Sequence, residues 1–308
     1  MTKKINLAYP SSNGIDEIAG TAWYPDTEPI AILQISHGMA EHIERYQDFS
    51  NFLNTLNILV IGNDHLGHGR SARSTDLYGY FSEEDAAQHV INDVKQLHDY
   101  FAQKHPNLPY FLLGHSMGSF IVRNYVQQFG EEHLTGTIFM GTSGPNPLGS
   151  VELQIVNALA HQNPMQTNPH VDKLAFGSFN KRCPEQRTGF DWLTRDTEVV
   201  DWFIEQEDTG FIFTNNGFKT LLTLQQNATK KGWTDRIPKA LPVLVISGEA
   251  DPVGQYGKGV LKVFKQLERA GLEDVTYVSY TNMRHEILME IDKEQVYEDV
   301  SDWILKRT

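Results

Sequence analysis

The sequence has few of the residues that cross-link a chain or anchor it in a membrane. It has one cysteine among 308 residues, so Cys183 cannot form an intramolecular disulfide or a cysteine-rich zinc cluster. Its longest apolar runs, such as residues 241–246, have the length of a strand and fall far short of the roughly 20 residues that span a bilayer. The apolar stretch within residues 1–10 is interrupted too early to form a signal-peptide core. We therefore expect a cytoplasmic protein without stable membrane insertion.

Positive charge is also scarce. The chain has 26 Lys and Arg against 39 Asp and Glu, a formal net charge of −13, and such a chain repels nucleic-acid phosphates and anionic lipid surfaces. We expect no nucleic-acid partner. With 40% hydrophobic and 21% charged residues, the composition is that of a globular protein and excludes a disordered, collagen-like or coiled-coil chain.

Short aliphatic and aromatic runs alternate with helical patterns along most of the chain. The runs predict buried strands at residues 30–35, 58–61, 110–113, 137–140, 243–246 and 275–278. The helical patterns cover residues 45–56, 83–104, 116–129, 258–270 and 286–305. This alternation predicts an α/β protein with a mostly parallel sheet and helices on both faces.

The alternation stops between residues 142 and 238. This part is rich in Asn, Pro, Gln and Gly, has aromatic residues scattered between polar ones, and lacks a convincing apolar strand. We interpret residues 146–236 as an inserted helical cap between two parts of one core, residues 1–145 and 237–308. The alternative is a core with long loops, which about ninety residues without a strand disfavour.

A candidate nucleophile lies between a predicted strand and a predicted helix. The motif Gly114-His-Ser116-Met-Gly118 follows the apolar run 110–113 and opens a helical pattern. In a nucleophile elbow, a tight strand-to-helix turn projects the serine hydroxyl above the sheet, and the residues two before and two after it must lack side chains. The context therefore predicts that Ser116 is a nucleophile.

A serine hydroxyl needs a base to take its proton and an acid to orient that base. For this elbow the chain order is Ser, then Asp or Glu, then His, each on a loop after a strand. Asp251 follows the run 241–246, and His285 follows the run 275–280 and is the only histidine after Asp251. We predict a triad of Ser116, Asp251 and His285, with Glu249 as the alternative acid.

An oxyanion hole needs two N–H donors, one from the residue after the nucleophile and one from an earlier loop. The first apolar strand ends at His37-Gly-Met39-Ala-Glu-His42, where Gly38 allows close approach of the backbone. We therefore expect the amides of Met39 and Met117 to be the donors. His37 and His42 are expected to hold this loop by hydrogen bonds.

Together these motifs resemble the monoacylglycerol lipase and lysophospholipase-like α/β-hydrolases of the serine aminopeptidase S33 (Hydrolase_4) family. The resemblance covers roughly residues 15–145 and 237–308, and its motifs are His37–His42, Asp64–Ser71, Gly114–Gly118, Gly248–Asp251 and Arg284–Glu286. It implies an eight-stranded α/β-hydrolase sheet with a helical cap, the triad and the oxyanion donors given above. Leu66 departs from the pattern, since many relatives have arginine there.

The resemblance also implies a function. It favours a serine hydrolase, without a cofactor, that cleaves lipid-like carboxylic esters with an apolar acyl chain, such as a monoacylglycerol or a lysophospholipid. A serine aminopeptidase-type amide hydrolase is the first alternative. The second is a non-catalytic binding protein that retains the fold, which the intact predicted triad disfavours.

Two weaker signals concern bound groups. Histidines 37, 42, 65 and 68 cluster near Asp64, but no H-E-x-x-H pattern occurs, and an oxyanion loop beside a turn explains the cluster, so we expect no metal. Residues 67–72 match a dinucleotide fingerprint, yet the segment that follows does not read as the start of a helix. We therefore expect no nucleotide.

One helical stripe could contact substrate. Val151, Ile155, Val156 and Leu159 fall on one face of a predicted helix at the start of the cap. This stripe could line an acyl pocket, with Ile155 and Leu159 as substrate-binding residues, or it could pack the cap onto the core.

Overall fold

The computed structural model describes residues 3–308 and contains one eight-stranded sheet. Its strands are β1 (Lys3–Pro10), β2 (Glu17–Tyr24), β3 (Ala31–Ser36), β4 (Ile58–Asn63), β5 (Tyr110–His115), β6 (Gly136–Met140), β7 (Val243–Gly248) and β8 (Val275–Tyr280). They lie in the order β1-β2-β4-β3-β5-β6-β7-β8. Strands β3 to β8 are parallel, whereas β1 and β2 pair antiparallel at one edge. The predicted α/β class with a mostly parallel sheet is confirmed.

Five helices alternate with the strands of the core. They are α1 (Gln47–Thr55), α2 (Ala86–Lys104), α3 (Met117–Phe129), α8 (Lys258–Arg269) and α9 (Lys293–Leu305). Alternate residues of β5 point to opposite faces of the sheet. Leu112 belongs to a hydrophobic cluster with residues of α2, α3 and α8. Phe111 and Leu113 belong to a second hydrophobic cluster, with residues of α1 and α9. Both faces of the central strands are therefore covered by helices, which explains their continuous apolar sequences.

Four helices lie between β6 and β7, where the sequence lacked strand patterns. They are α4 (Gly149–Gln162), α5 (Pro169–Phe176), α6 (Thr197–Glu205) and α7 (Asn215–Thr229). Polar residues begin three of them, since Asn168, Asp196 and Thr214 accept backbone N–H groups of the first turn. Helix α7 packs against α3 and α4. We use the name cap segment for residues 146–236, and their assignment as a separate unit stays a prediction.

The structure differs from the predicted elements mainly at their ends. A short 3₁₀ turn at Ile43–Tyr46 precedes α1, and another at Ile287–Met289 separates the histidine loop from α9. The antiparallel strands β1 and β2 were not predicted from the sequence. Within residues 3–308, no helix is both long and apolar enough to cross a membrane.

Candidate active site

Ser116 occupies the sharp turn between β5 and α3. Its backbone has φ 52° and ψ −116°, a conformation that costs free energy for a residue with a side chain and that the surrounding structure must hold. A Cβ added at Gly114 would collide with the carbonyl oxygen of Gly118, and one added at Gly118 would collide with that of Ser36. Both glycines are thus needed for α3 to pass this close to β3 and β5, as an elbow requires.

Asp251 and His285 lie close to each other. Asp251 follows β7 and His285 follows β8, and Asp251 Oδ1 lies 3.0 Å from His285 Nδ1. Both side chains are buried. The two atoms lie within hydrogen-bond distance, but their geometry does not meet that of a hydrogen bond. Hydrogen bonds in active sites are often poorly aligned when no substrate is bound. Glu249, the alternative acid, is exposed to solvent, so the geometry favours Asp251.

The imidazole of His285 lies beside the turn at Ser116. Its ring centroid is 4.8 Å from that of His115, the residue immediately before Ser116. A Cβ added at Gly141, just after β6, would lie 3.1 Å from His285 Cε1 and 3.3 Å from His115 Cδ2. His285 Nε2 is buried and makes no hydrogen bond to a described residue. The structure therefore brings the three predicted triad residues to the same edge of the sheet.

The two predicted oxyanion donors belong to chain segments that approach Ser116. Met117 is the first residue of α3, so its N–H has no partner within the helix. Met39 lies on the loop after β3, and in the same loop a Cβ added at Gly38 would lie 3.2 Å from Ser116 Cβ. The helix N-terminus at Met117 also favours negative charge. The roles of both amides stay predictions.

The predicted substrate-binding stripe is divided between two faces of α4. Val156 and Ala160 are buried, whereas Val151 and Ile155 are 56% and 55% exposed, and Leu159 is partly buried. The face toward α7 therefore carries Val156 and Ala160. The substrate-binding role of Ile155 and Leu159 stays a prediction.

Three buried histidines support the loop after β3. His37 Nε2 accepts the N–H of His65 at 2.9 Å, and the ring centroids of His37 and His68 lie 5.2 Å apart. Burial lowers the pKa of all three, that of His68 to about 3. They are therefore neutral side chains that hold the loop. Within residues 3–308, no group of three or more His, Cys, Asp or Glu side chains is arranged to hold a metal ion.

A buried charge network was not predicted. Glu41 accepts a hydrogen bond from His115 Nδ1 at 3.0 Å and one from Arg45 at 2.8 Å, and Arg45 donates two more, at 2.6 and 2.7 Å, to Glu286. Glu41 and Glu286 belong to the motifs quoted above, but Arg45 and Glu286 are 241 positions apart. Only the folded chain shows that these motifs join.

The cap segment also contacts the histidine loop. The carbonyl of Trp192 accepts the N–H of His285 at 3.4 Å, and the carbonyl of Leu193 accepts the N–H of Glu286 at 2.7 Å. The Trp192 ring lies 5.2 Å from the His285 ring. In the sequence, Trp192 is one of the aromatic residues scattered between polar ones. No local pattern predicts its contact with His285.

Comparisons with known proteins agree with this architecture. A family model described as Hydrolase_4, serine aminopeptidase S33, matches residues 27–292. The chain is 29% identical to the monoacylglycerol lipase of Mycolicibacterium smegmatis over 284 residues, which cover 92% of this chain and 91% of that protein. It is 27% identical to the monoglyceride lipase of Homo sapiens over 293 residues, which cover 93% of this chain and 86% of that protein.

A solved structure supports the same conclusion. A thermostable carboxyl esterase from Bacillus coagulans, in complex with glycerol, matches with a TM-score of 0.92 and 29% identity, over 100% of this chain and 99% of that chain. The resemblance predicted from the motifs is thus confirmed, and the chain, with its α/β-hydrolase fold, belongs to the Hydrolase_4 (serine aminopeptidase S33) family.

Proposed function

We propose that this protein is a carboxylic ester hydrolase that acts through an acyl-enzyme on Ser116. The observation that carries the proposal is the strained backbone of Ser116 beside the buried pair His285 and Asp251. A turn that costs free energy is retained where function needs it. A binding protein would need neither the strain nor the base.

In the proposed mechanism, His285 Nε2 takes the proton of Ser116 Oγ as the oxygen forms a bond to the ester carbonyl carbon. The N–H groups of Met39 and Met117 stabilise the oxyanion, and the alcohol leaves with the proton from His285 as the C–O bond breaks. Water then attacks the acyl-enzyme by the same route and releases the acid. Asp251 orients the imidazole and stabilises its charged form.

For the substrate we propose an ester with an apolar acyl chain and a small alcohol, of the monoacylglycerol type. Support comes from the named activities of the two lipase relatives and of the esterase, since names of relatives at this identity indicate a substrate class. A lysophospholipid is the related candidate. The description of the family as serine aminopeptidase favours an amide substrate as the second candidate function.

The first test is covalent labelling with a fluorophosphonate probe, located by peptide mass spectrometry. We expect the label on Ser116 and its loss in Ser116→Ala and His285→Ala. Two matched controls, Ser150→Ala and His161→Ala, change exposed residues of α4 and should label like the wild type. Absence of labelling in folded wild-type protein would contradict the proposal and favour a binding function.

The second test separates esters from amides. Turnover of 4-nitrophenyl esters of increasing chain length, of monoacylglycerols and of lysophosphatidylcholine is compared with turnover of aminoacyl 4-nitroanilides. We expect turnover of the esters to be much faster than turnover of the anilides, and we expect the Ser116→Ala variant to lose both activities. Faster turnover of anilides would favour the aminopeptidase function.

A further inference from the structure

The side chain of Glu41 closes the loop that carries Met39. Glu41 Oε1 accepts the N–H of Gly38 at 2.5 Å, and a Cβ added at Gly38 would lie 2.6 Å from the same oxygen. Between these residues, Ala40 has φ 51°, which is strained for a residue with a side chain. The carboxylate therefore holds a tight turn whose backbone would otherwise relax.

The same oxygen of Glu41 contacts the nucleophile turn. It lies 3.0 Å from Nδ1 of His115, which directly precedes Ser116, and it also accepts the hydroxyl of Tyr46 at 3.0 Å. Burial alone would lower the pKa of His115, but the hydrogen bond and the charge of Glu41 outweigh burial and raise it. Glu41 thus favours an imidazolium at His115, whose Nδ1–H donates to the carboxylate.

The second oxygen of Glu41 connects to the histidine loop through Arg45. Arg45 Nη1 donates to Glu41 Oε2 at 2.8 Å, and the guanidinium donates to both oxygens of Glu286 at 2.6 and 2.7 Å. Glu286 directly follows His285. A guanidinium fork that binds a carboxylate at two points fixes orientation as well as distance.

This network is buried. The side chains of Glu41, Arg45 and Glu286 are each no more than 5% exposed, and two carboxylates face one guanidinium and one imidazole. Burial raises the pKa of Glu41, but the hydrogen bond and charge of His115 and the charge of Arg45 outweigh it and lower the pKa well below its usual range. Glu41 therefore stays ionised and can hold all its donors at neutral pH.

We propose that Glu41 is a positioning residue, whose single carboxylate fixes the oxyanion loop, the nucleophile turn and the histidine loop relative to one another. The inference rests on the proposed function, because it assigns the geometry of that reaction to a side chain that touches none of the reacting atoms. A misplacement of about 1 Å in such a geometry lowers rate on the order of 100-fold. A purely stabilising ion pair would instead affect unfolding and leave turnover of folded protein unchanged.

The test is Glu41→Gln, which keeps the size of the side chain but removes its charge and places an amide against Arg45. With a soluble 4-nitrophenyl ester, we expect kcat to fall on the order of 100-fold, with KM within about threefold of the wild-type value. The rate of fluorophosphonate labelling at Ser116 should fall in parallel.

Asp93→Asn is the matched control. Asp93 is a buried carboxylate of α2 that accepts the N–H of Ser12 at 2.6 Å and the hydroxyl of Ser11 at 2.8 Å, and it has no contact with the site. We expect this variant to lose thermal stability and to keep kcat within about twofold. A Glu41→Gln enzyme that is folded and as active as Asp93→Asn would overturn the inference.

Tyr46→Phe covers the case in which Glu41→Gln does not fold, because it removes only one donor to Glu41 Oε1. Because Tyr46→Phe loses one hydrogen bond, we expect its kcat to fall roughly threefold to tenfold, again with KM unchanged. If Tyr46→Phe is folded and fully active while Glu41→Gln is unfolded, Glu41 is structural only and the inference is wrong. Wild-type protein that neither labels nor turns over esters would contradict the proposed function itself, which distinguishes the two failures.

Discussion

The core edge, meaning the sheet edge that carries the candidate active site, differs from the cap segment in which kinds of side chain are buried and which are exposed. At the core edge, charged groups such as Glu41, Arg45 and Asp251 are buried and paired. In the cap segment, large apolar side chains are exposed, among them Leu148, Val151, Ile155, Met165, Leu174, Trp202 and Ile204. Buried charges need fixed partners, whereas contiguous exposed apolar groups often mark binding surfaces. From the contrast we predict that changes at the sheet edge affect the rate of the reaction and that changes in the cap segment affect substrate binding.

One buried arginine links the two regions. Arg123 of α3 donates to the carbonyl of Ser143, before the cap segment, at 2.9 Å, and to that of Ala228, near its end. Its guanidinium also lies 4.0 Å from the centroid of the Trp233 ring. Unlike Arg45, it has no carboxylate partner in the described part of the chain, and burial lowers its pKa to about 9. The junction therefore depends on carbonyl groups and an aromatic face.

The largest expected effect tests the core side of the comparison. Asp251→Asn should lower kcat on the order of 10⁴-fold, because the amide cannot stabilise the imidazolium of His285. Glu249→Gln, on the same loop but exposed, should stay within about twofold in the same assay. Ester turnover by both purified variants decides which carboxylate is the acid of the proposed triad. A larger loss of kcat in Glu249→Gln than in Asp251→Asn would assign that role to Glu249.

The next effect tests the junction. Arg123→Met should lower the free energy of unfolding by about 3 kcal/mol, because three buried hydrogen bonds at Thr142, Ser143 and Ala228 are lost. Urea unfolding followed by circular dichroism measures it. Arg182→Met, which removes an exposed arginine that also lies over a ring, 3.8 Å from the centroid of Tyr256, should change stability by less than about 0.5 kcal/mol. Equal effects of both changes would show that Arg123 does not secure the junction.

A smaller effect compares buried and exposed histidines. The pKa of His68 is about 3 in the folded protein because of burial, so between pH 6.5 and 3 the unfolded chain binds more protons than the folded one. The contribution of neutral His68 to the free energy of unfolding is therefore fully present above about pH 6.5. It decreases as the pH falls below this value, by up to about 1.4 kcal/mol per pH unit.

Urea unfolding of His68→Gln at several pH values between 4.5 and 7 checks this slope. The variant should have a shallower decrease of stability in acid than the wild type. His161→Gln, an exposed histidine of the cap segment, should leave the slope unchanged. A wild-type slope in His68→Gln would mean that His68 is not held neutral by burial.

The smallest effect tests the cap side. Ile155→Ser should raise KM for a long-chain ester roughly tenfold, the size expected for loss of several buried methylene contacts, and should leave turnover of a butyrate ester unchanged. Leu174→Ser changes a large apolar residue of the cap segment that is 79% exposed, and this variant should behave like the wild type. Steady-state kinetics on both ester lengths measure the difference. If Ile155→Ser and the wild type have equal KM values for the long-chain ester, Ile155 does not belong to the proposed acyl site.

How much the sequence could reveal depends on whether a feature is local. The six parallel strands are apolar runs that hold their pattern within a few residues, and the turn at Ser116 is specified by glycines two positions away on either side. Strand β1 was missed because it lies at the sheet edge, where its residues alternate between exposed and partly buried ones, and its sequence carries three lysine or asparagine residues among eight. An edge strand with one solvated face has a weak apolar signal.

The sequence by itself determined the fold class, the position of the sharp turn at Ser116 and the chain order of the three proposed catalytic residues. These follow from local periodicity, from turns that only glycine permits, and from the rule that successive parallel strands end at one edge. Only the tertiary structure decided that Asp251 rather than Glu249 faces His285, that Ile155 is exposed while Val156 is buried, and that Glu41, His115 and Arg45 form one network with Glu286. Such contacts join residues up to 241 positions apart. Their partners are selected by packing and by the cost of burying polar groups without hydrogen bonds, which no local pattern encodes.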